Sequence, residues 1–136
     1  MLTNHILGLP RVSIDNLFFY NISLGILDKQ ISIWVVGSSI IKEAFVQARS
    51  NPGGLNMGLQ ILKVSVWWQG RSGMGIDDLK KQINIMLRYE DKPKFLVLHV
   101  GVNDIGRMKT GDLREELKSK ISWVKRICQI HGYCII

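Results

Sequence analysis

From residue 31 onward, short apolar runs alternate with segments of helical pattern. Residues 31–36 form a β-branched run that ends at Gly37, which predicts a buried parallel strand. The apolar runs at residues 59–68 and 94–100 predict two further strands, and residues 133–136 predict the start of a fourth. Glycine or polar residues follow the first three runs, so these strands are expected to end in loops.

Each segment between two predicted strands carries apolar residues at helical spacing. The three stripes comprise Ile40, Ile41, Ala44, Phe45 and Ala48, then Ile76, Leu79, Ile83 and Leu87, and finally Leu113, Leu117, Ile121, Val124 and Cys128. Strands and helices that alternate in this way predict an α/β fold with a mostly parallel sheet and helices on both faces. Residues 1–30 show no clear period and are predicted to be an N-terminal extension to a domain of residues 31–136.

Length and composition fit one globular domain. The 136 residues suffice for a single core, and the 46% that are hydrophobic exclude a disordered chain. The longest apolar run near the N-terminus, residues 17–27, is too short to span a bilayer, so no membrane association and a cytoplasmic location are expected. Cys128 and Cys134 lack the spacing of a metal site or a redox motif and are expected to be buried thiols.

The formal net charge of +7 raises the alternative of a nucleic-acid partner, because a basic surface attracts phosphate. Much of the excess lies on the third predicted helix and just before it, at Arg107, Lys109, Arg114, Lys118, Lys120, Lys125 and Arg126. No aromatic stacking pattern accompanies these residues. A solvated helix face is therefore the favoured interpretation, and nucleic acid is not the expected partner.

Candidate chemistry lies in the three turns that follow predicted strands, because ligands of α/β proteins bind at that sheet edge. Ser39 stands where the first strand turns into a helix, so it is a candidate nucleophile whose own N–H could hold an oxyanion; the alternative is a helix N-cap. Gly73 lies in a glycine-rich turn that could hold a negative charge or be merely flexible, and Asn103 carries a side-chain amide that could donate to an oxyanion. The glycine turn matches no nucleotide motif, so neither a cofactor nor a metal is expected.

In order and spacing, these turns resemble the motifs of the SGNH (GDSL-type) ester hydrolases. Residues 36–40 are similar to the Gly-Asp-Ser block, with Ser38 in place of the usual aspartate, Ser72-Gly73 is similar to the glycine block, and residues 99–104 are similar to the Gly-x-Asn-Asp block. The resemblance implies a flavodoxin-like three-layer αβα fold and a small ester or acyl substrate. It also implies Ser39 as the nucleophile, with the Ser39 and Gly73 N–H groups and the Asn103 side chain as the oxyanion hole. Residues 66–71 further resemble SGNH-like domains of retrotransposon-derived open reading frames.

The family's Asp-x-x-His block, which supplies the catalytic base and its orienting acid, has no counterpart in this sequence. The resemblance therefore implies a domain truncated before its last strand and helix, with an exposed sheet edge through which it could self-associate. No histidine is expected to replace the base. His5 lies in the extension, His99 lies inside a strand roughly 13 Å along it from Asn103, and His131 lies at the opposite edge of the sheet.

Two functional hypotheses follow. The first is an SGNH-type esterase that transfers an acyl group to Ser39 and releases it by hydrolysis. The second is a non-catalytic remnant whose pocket binds a small acyl or carboxylate group. Because a serine hydroxyl needs a nearby base, the expectation for this chain is a pocket without useful turnover. A basic nucleic-acid-associated module is the third alternative.

Overall fold

A computed structural model describes residues 30–135, so the extension predicted over residues 1–30 lies, apart from Gln30, outside the described residues. The described chain forms one parallel sheet in the order β2-β1-β3-β4. Its strands are β1 (Ile31–Gly37), β2 (Val64–Gly70), β3 (Phe95–His99) and β4 (Gly132–Ile135). The helices that connect them are α1 (Ser39–Ser50), α2 (Leu79–Met86) and α3 (Thr110–Cys128). The predicted α/β fold with a parallel sheet is confirmed.

The helices cover both faces of the sheet. Alternate residues of each strand point to opposite faces, so each face has apolar side chains to bury. On one face, Trp34 and Val36 of β1 pack with α2 and α3 in the largest buried cluster. On the other face, Val35 of β1 and Val66 of β2 pack against Ile41 of α1. The chain thus changes face after β1, and the central position of β1 between β2 and β3 matches the flavodoxin-like strand order.

The segment before β2 differs from the prediction. The apolar run from residue 59 was expected to be a strand, but Leu59–Leu62 is a short 3-10 helix and β2 begins only at Val64. Gly58 and Lys63 flank this turn with φ angles of 76° and 54°, which interrupt an extended backbone. Leu59 and Leu62 still contribute apolar contacts, because they pack with Ile31 and Val64 at the margin of the sheet.

The structure also bears on the two cysteines and on the expected absence of a membrane-spanning segment. Cys128 is a buried free thiol, as expected; burial raises its pKa and the nearby Lys92 partly offsets this. The side chain of Cys134 lies outside the described part of the structure. Within residues 30–135, no helix is long and apolar enough to cross a membrane.

Candidate active site

Three turns lie side by side at the carboxyl edge of the sheet. Gly37 at the end of β1 pairs with Gly70 of β2 on one side and with His99 of β3 on the other, so the three strands end level with one another. Ser39 opens α1 directly after β1. Gly73 lies in the turn after β2, and Asn103 lies in the short 3-10 helix Val102–Asp104 after β3. All three predicted site residues therefore lie at the same edge.

Hydrogen bonds join the three turns to one another. The Arg71 N–H donates to the Gly37 carbonyl at 2.8 Å, which links the glycine turn to the end of β1. The Asn103 side-chain amide donates to the Met74 carbonyl at 2.9 Å, which links the third turn to the second. The Ser38 N–H donates to the His99 carbonyl at 3.3 Å, which links the first turn to β3. The turns are thus held as a connected unit.

Ser39 is exposed at the first position of α1. The N-cap position belongs to Ser38, whose side chain makes no capping bond, so the alternative role of a capping serine does not apply to Ser39. Within the described chain, neither the hydroxyl nor the N–H of Ser39 has a hydrogen-bond partner. Both groups therefore remain open to a ligand at the positive end of the helix dipole.

Gly73 adopts a φ angle of +74°, which favours glycine, and no atom lies within 4 Å of the position that its missing Cβ would occupy. Two carboxylates hold the end of this turn by accepting hydrogen bonds from its backbone N–H groups. Asp78 accepts from the Gly75 N–H at 3.0 Å, and the buried Asp104 accepts from the Ile76 N–H at 2.8 Å. The Asp104 carboxylate, from the turn after β3, therefore holds the end of the glycine turn after β2.

His99 lies closer to the site than the sequence indicated. Its ring Nδ1 lies 3.1 Å from the Ser38 hydroxyl, and both side chains are buried. The extended spacing expected between His99 and Asn103 does not apply, because β3 ends at His99 and the chain turns at Gly101 with a φ angle of +100°. His99 is thus a buried, hydrogen-bonded histidine, and its partner is the residue next to the candidate nucleophile.

His131 lies at the other end of the sheet, as predicted. Its N–H donates to the Lys94 carbonyl at 2.7 Å, and its ring packs at a tilt against Phe95, the first residue of β3. These contacts place His131 at the amino ends of β3 and β4, across the sheet from Ser39. Within residues 30–135, no histidine bonds to the Ser39 hydroxyl.

No protein-family model and no curated protein matches the chain. Solved structures do match it. AlinE4, described as an SGNH-hydrolase family esterase, is 21% identical over 72% of this chain and 55% of its own length, with a TM-score of 0.57. A catalytic mutant of Axe2, an acetylxylan esterase from Geobacillus stearothermophilus, is 15% identical over 77% of this chain and 58% of its own, with a TM-score of 0.53.

A third structure, LAE5, is described as an alpha/beta hydrolase enzyme from the metagenome of Lake Arreo in Spain. It is 17% identical over 77% of this chain and 59% of its own length, with a TM-score of 0.52. The chain thus spans between 55% and 59% of the length of these three structures. At such identities the likeness concerns the fold, which is that of the SGNH-hydrolase esterases.

Proposed function

We propose that this chain, which has an SGNH-type fold, carries the nucleophile and the oxyanion hole of an ester-hydrolase site. The observation that carries the proposal is the connected set of turns at one sheet edge, in which Ser39, Gly73 and Asn103 stand on three adjacent strand ends. Two resident donors, the N–H groups of Ser39 and Gly73, have no partner within the described residues. Unpaired donors at such an edge suit a developing negative charge.

Each residue has a separate role in this proposal. The Ser39 hydroxyl attacks the carbonyl carbon of a small ester, and the carbonyl oxygen becomes an oxyanion. The Ser39 and Gly73 N–H groups donate to that oxygen, together with the second N–H of the Asn103 amide, whose first N–H is bonded to the Met74 carbonyl. When the oxyanion collapses, the bond to the alkoxy group breaks, and the alcohol leaves with the proton that the Ser39 hydroxyl has lost. The acyl group then resides on Ser39 until water releases it as a carboxylic acid and restores the hydroxyl.

Among the described residues, no histidine bonds to the Ser39 hydroxyl, so none is placed to act as its catalytic base. The His99 ring is bonded to Ser38, and His131 lies at the opposite sheet edge. Without a base, a serine hydroxyl is a poor nucleophile, and loss of the histidine alone removes on the order of 10⁶ in turnover from a serine hydrolase. We therefore expect this polypeptide alone to bind acyl or carboxylate groups but to hydrolyse esters slowly. The alternative of a non-catalytic binding domain uses the same pocket.

The test is hydrolysis of an activated aryl ester by the 136-residue chain and by Ser39→Ala, without and with added imidazole as a substitute base. Without imidazole, both proteins should show equal, near-background rates. With imidazole, the wild type should gain a component that Ser39→Ala lacks, because the Ser39 hydroxyl is exposed to solvent bases. Ser122→Ala, an exposed serine on α3, should behave as the wild type.

Two outcomes would contradict the proposal. If imidazole accelerates the wild type and Ser39→Ala equally, Ser39 is not the nucleophile. If the wild type turns over without imidazole and Ser39→Ala abolishes that turnover, a base within this chain has been missed.

A further inference from the structure

A shallow cleft runs along the flank of α1 that faces β2. It has a volume of about 280 Å³ and is lined by Lys42, Phe45, Val46, Trp68, Gln69 and Gly70. One wall is therefore the middle of α1, and the other is the last part of β2. The three turns of the candidate active site do not include these residues, apart from Gly70 where the glycine turn begins.

The cleft begins next to Ser39. Lys42 and Val46 follow Ser39 by three and seven residues on α1, so they lie on neighbouring positions of the same helix side. A rise of about 1.5 Å per residue places Val46 roughly 10 Å from Ser39 along the helix axis. At Gly70 the sheet touches the helix, since a Cβ there would lie 2.2 Å from the Lys42 nitrogen. A ligand with its carbonyl at Ser39 can thus extend directly into the cleft.

The walls combine apolar surface with one unpaired cation. Trp68 is half-buried, and its indole N–H donates to the Leu55 carbonyl at 2.8 Å, which fixes the ring. Val46 is 48% exposed, and Phe45 is half-buried, so both leave apolar surface open along the cleft.

Lys42 is exposed and has no acidic partner among the described residues. Glu43 follows it in sequence, but adjacent residues of a helix do not face each other. The cleft therefore combines an aromatic wall with a free positive charge.

We propose that the cleft binds an anionic, apolar part of the ester substrate, an aryl or alkyl group that carries a carboxylate. The apolar group packs between Phe45 and Trp68, and the carboxylate pairs with Lys42. The proposal rests on the proposed function of Ser39, because it assigns the substrate class of that same site. An anionic ester is preferred over an uncharged one, since only the anionic ester gains the ion pair with the exposed Lys42.

The test uses 2-naphthoate and its neutral counterpart 2-naphthamide, each titrated into the ¹⁵N-labelled 136-residue chain and followed by NMR. Naphthoate should shift the indole signal of Trp68 and the backbone amides of Lys42 and Gly70. Lys42→Gln should weaken naphthoate binding roughly three- to five-fold, as a partly exposed ion pair would, and leave naphthamide binding unchanged. Lys81→Gln removes the same charge from an exposed position on α2, across the sheet, and should change neither affinity.

The substrate-class proposal is overturned if the Trp68 indole signal does not move, if the two ligands bind equally well, or if Lys42→Gln behaves like Lys81→Gln. Ser39→Ala separates this result from the proposed function, because it should leave naphthoate binding intact. Naphthoate binding without any Ser39-dependent hydrolysis in imidazole would refute the nucleophile alone. Ser39-dependent hydrolysis without naphthoate binding would refute the cleft alone.

Discussion

Ser38 and His99 form a polar pair in the core immediately beneath the candidate nucleophile. Two contacts join these residues, one from the Ser38 N–H to the His99 carbonyl and one between the Ser38 hydroxyl and the ring Nδ1. Ser38 occupies the position of the aspartate in the Gly-Asp-Ser motif that residues 36–40 resemble. The group that contacts the His99 ring is therefore a neutral hydroxyl. The pair fixes the turn that carries Ser39, because both ends of the contact are buried.

Replacing Ser38 by alanine should therefore destabilise the fold. The substitution leaves the buried Nδ1 of His99 without its partner, which costs about 1–3 kcal/mol. Ser39→Ala is the matched control: its hydroxyl is exposed and unbonded within the described chain, so a change below about 0.5 kcal/mol is expected. Urea unfolding of both variants measures the difference. Equal losses in free energy of unfolding would mean that the Ser38–His99 contact contributes nothing.

The contact between α1 and β2 depends on the absence of a side chain at Gly70. A Cβ there would lie 2.2 Å from the Lys42 nitrogen and 2.6 Å from its Cα, and helix backbone cannot move aside as a flexible side chain can. This approach positions the first turn of α1, and hence Ser39, against the end of the sheet.

Gly70→Ala should destabilise the chain by about 1–3 kcal/mol or more, because it overpacks a backbone contact. Gly111→Ala is the control, because it should raise the free energy of unfolding instead of lowering it. Gly111 lies within α3 with no atom within 4 Å of its Cβ position, so alanine should stabilise it by up to about 1 kcal/mol through helix propensity. Thermal unfolding distinguishes the two. A Gly70→Ala protein as stable as the wild type would show that α1 does not pack on β2 as described.

At this scale the sequence predicted most of the architecture. Apolar runs and helical stripes located the strands and helices, because burial on a sheet or a helix face imposes those periods. The strand prediction was wrong at residues 59–62, because an apolar run does not distinguish a strand from a buried turn. The left-handed backbone of Gly58 and Lys63 makes this segment a 3-10 helix. The contacts of His99 with Ser38 and of Asp104 with Ile76 could not be predicted, since they join residues 61 and 28 positions apart.

The molecule presents two different sheet edges. At the β2 edge, the Asn56 side chain accepts a hydrogen bond from the Val66 N–H and the Leu55 carbonyl accepts one from the Trp68 indole, so the preceding segment covers the strand. At the other edge, β4 pairs only with β3 within residues 30–135. An uncovered strand edge is a template for pairing with another chain.

The isolated 136-residue chain is therefore expected to self-associate through β4. Sedimentation velocity over a range of protein concentrations should show an average mass that rises with concentration. A proline at position 134, written Cys134→Pro, removes a backbone donor from β4 and should reduce the association. A monodisperse monomer at every concentration would contradict the expectation.

The central claim is that Ser39, Gly73 and Asn103 together form one oxyanion hole, and binding of a tetrahedral anion tests it most directly. Methylphosphonate titrated into the ¹⁵N-labelled chain should shift the backbone amides of Ser39 and Gly73 and the side-chain amide of Asn103 together, with one shared affinity, because all three donate to the same oxygen. The amide of Ser122, on the exposed face of α3, should stay in place. If the three signals move with different affinities, or if Asn103 does not respond, the turns do not form a single site.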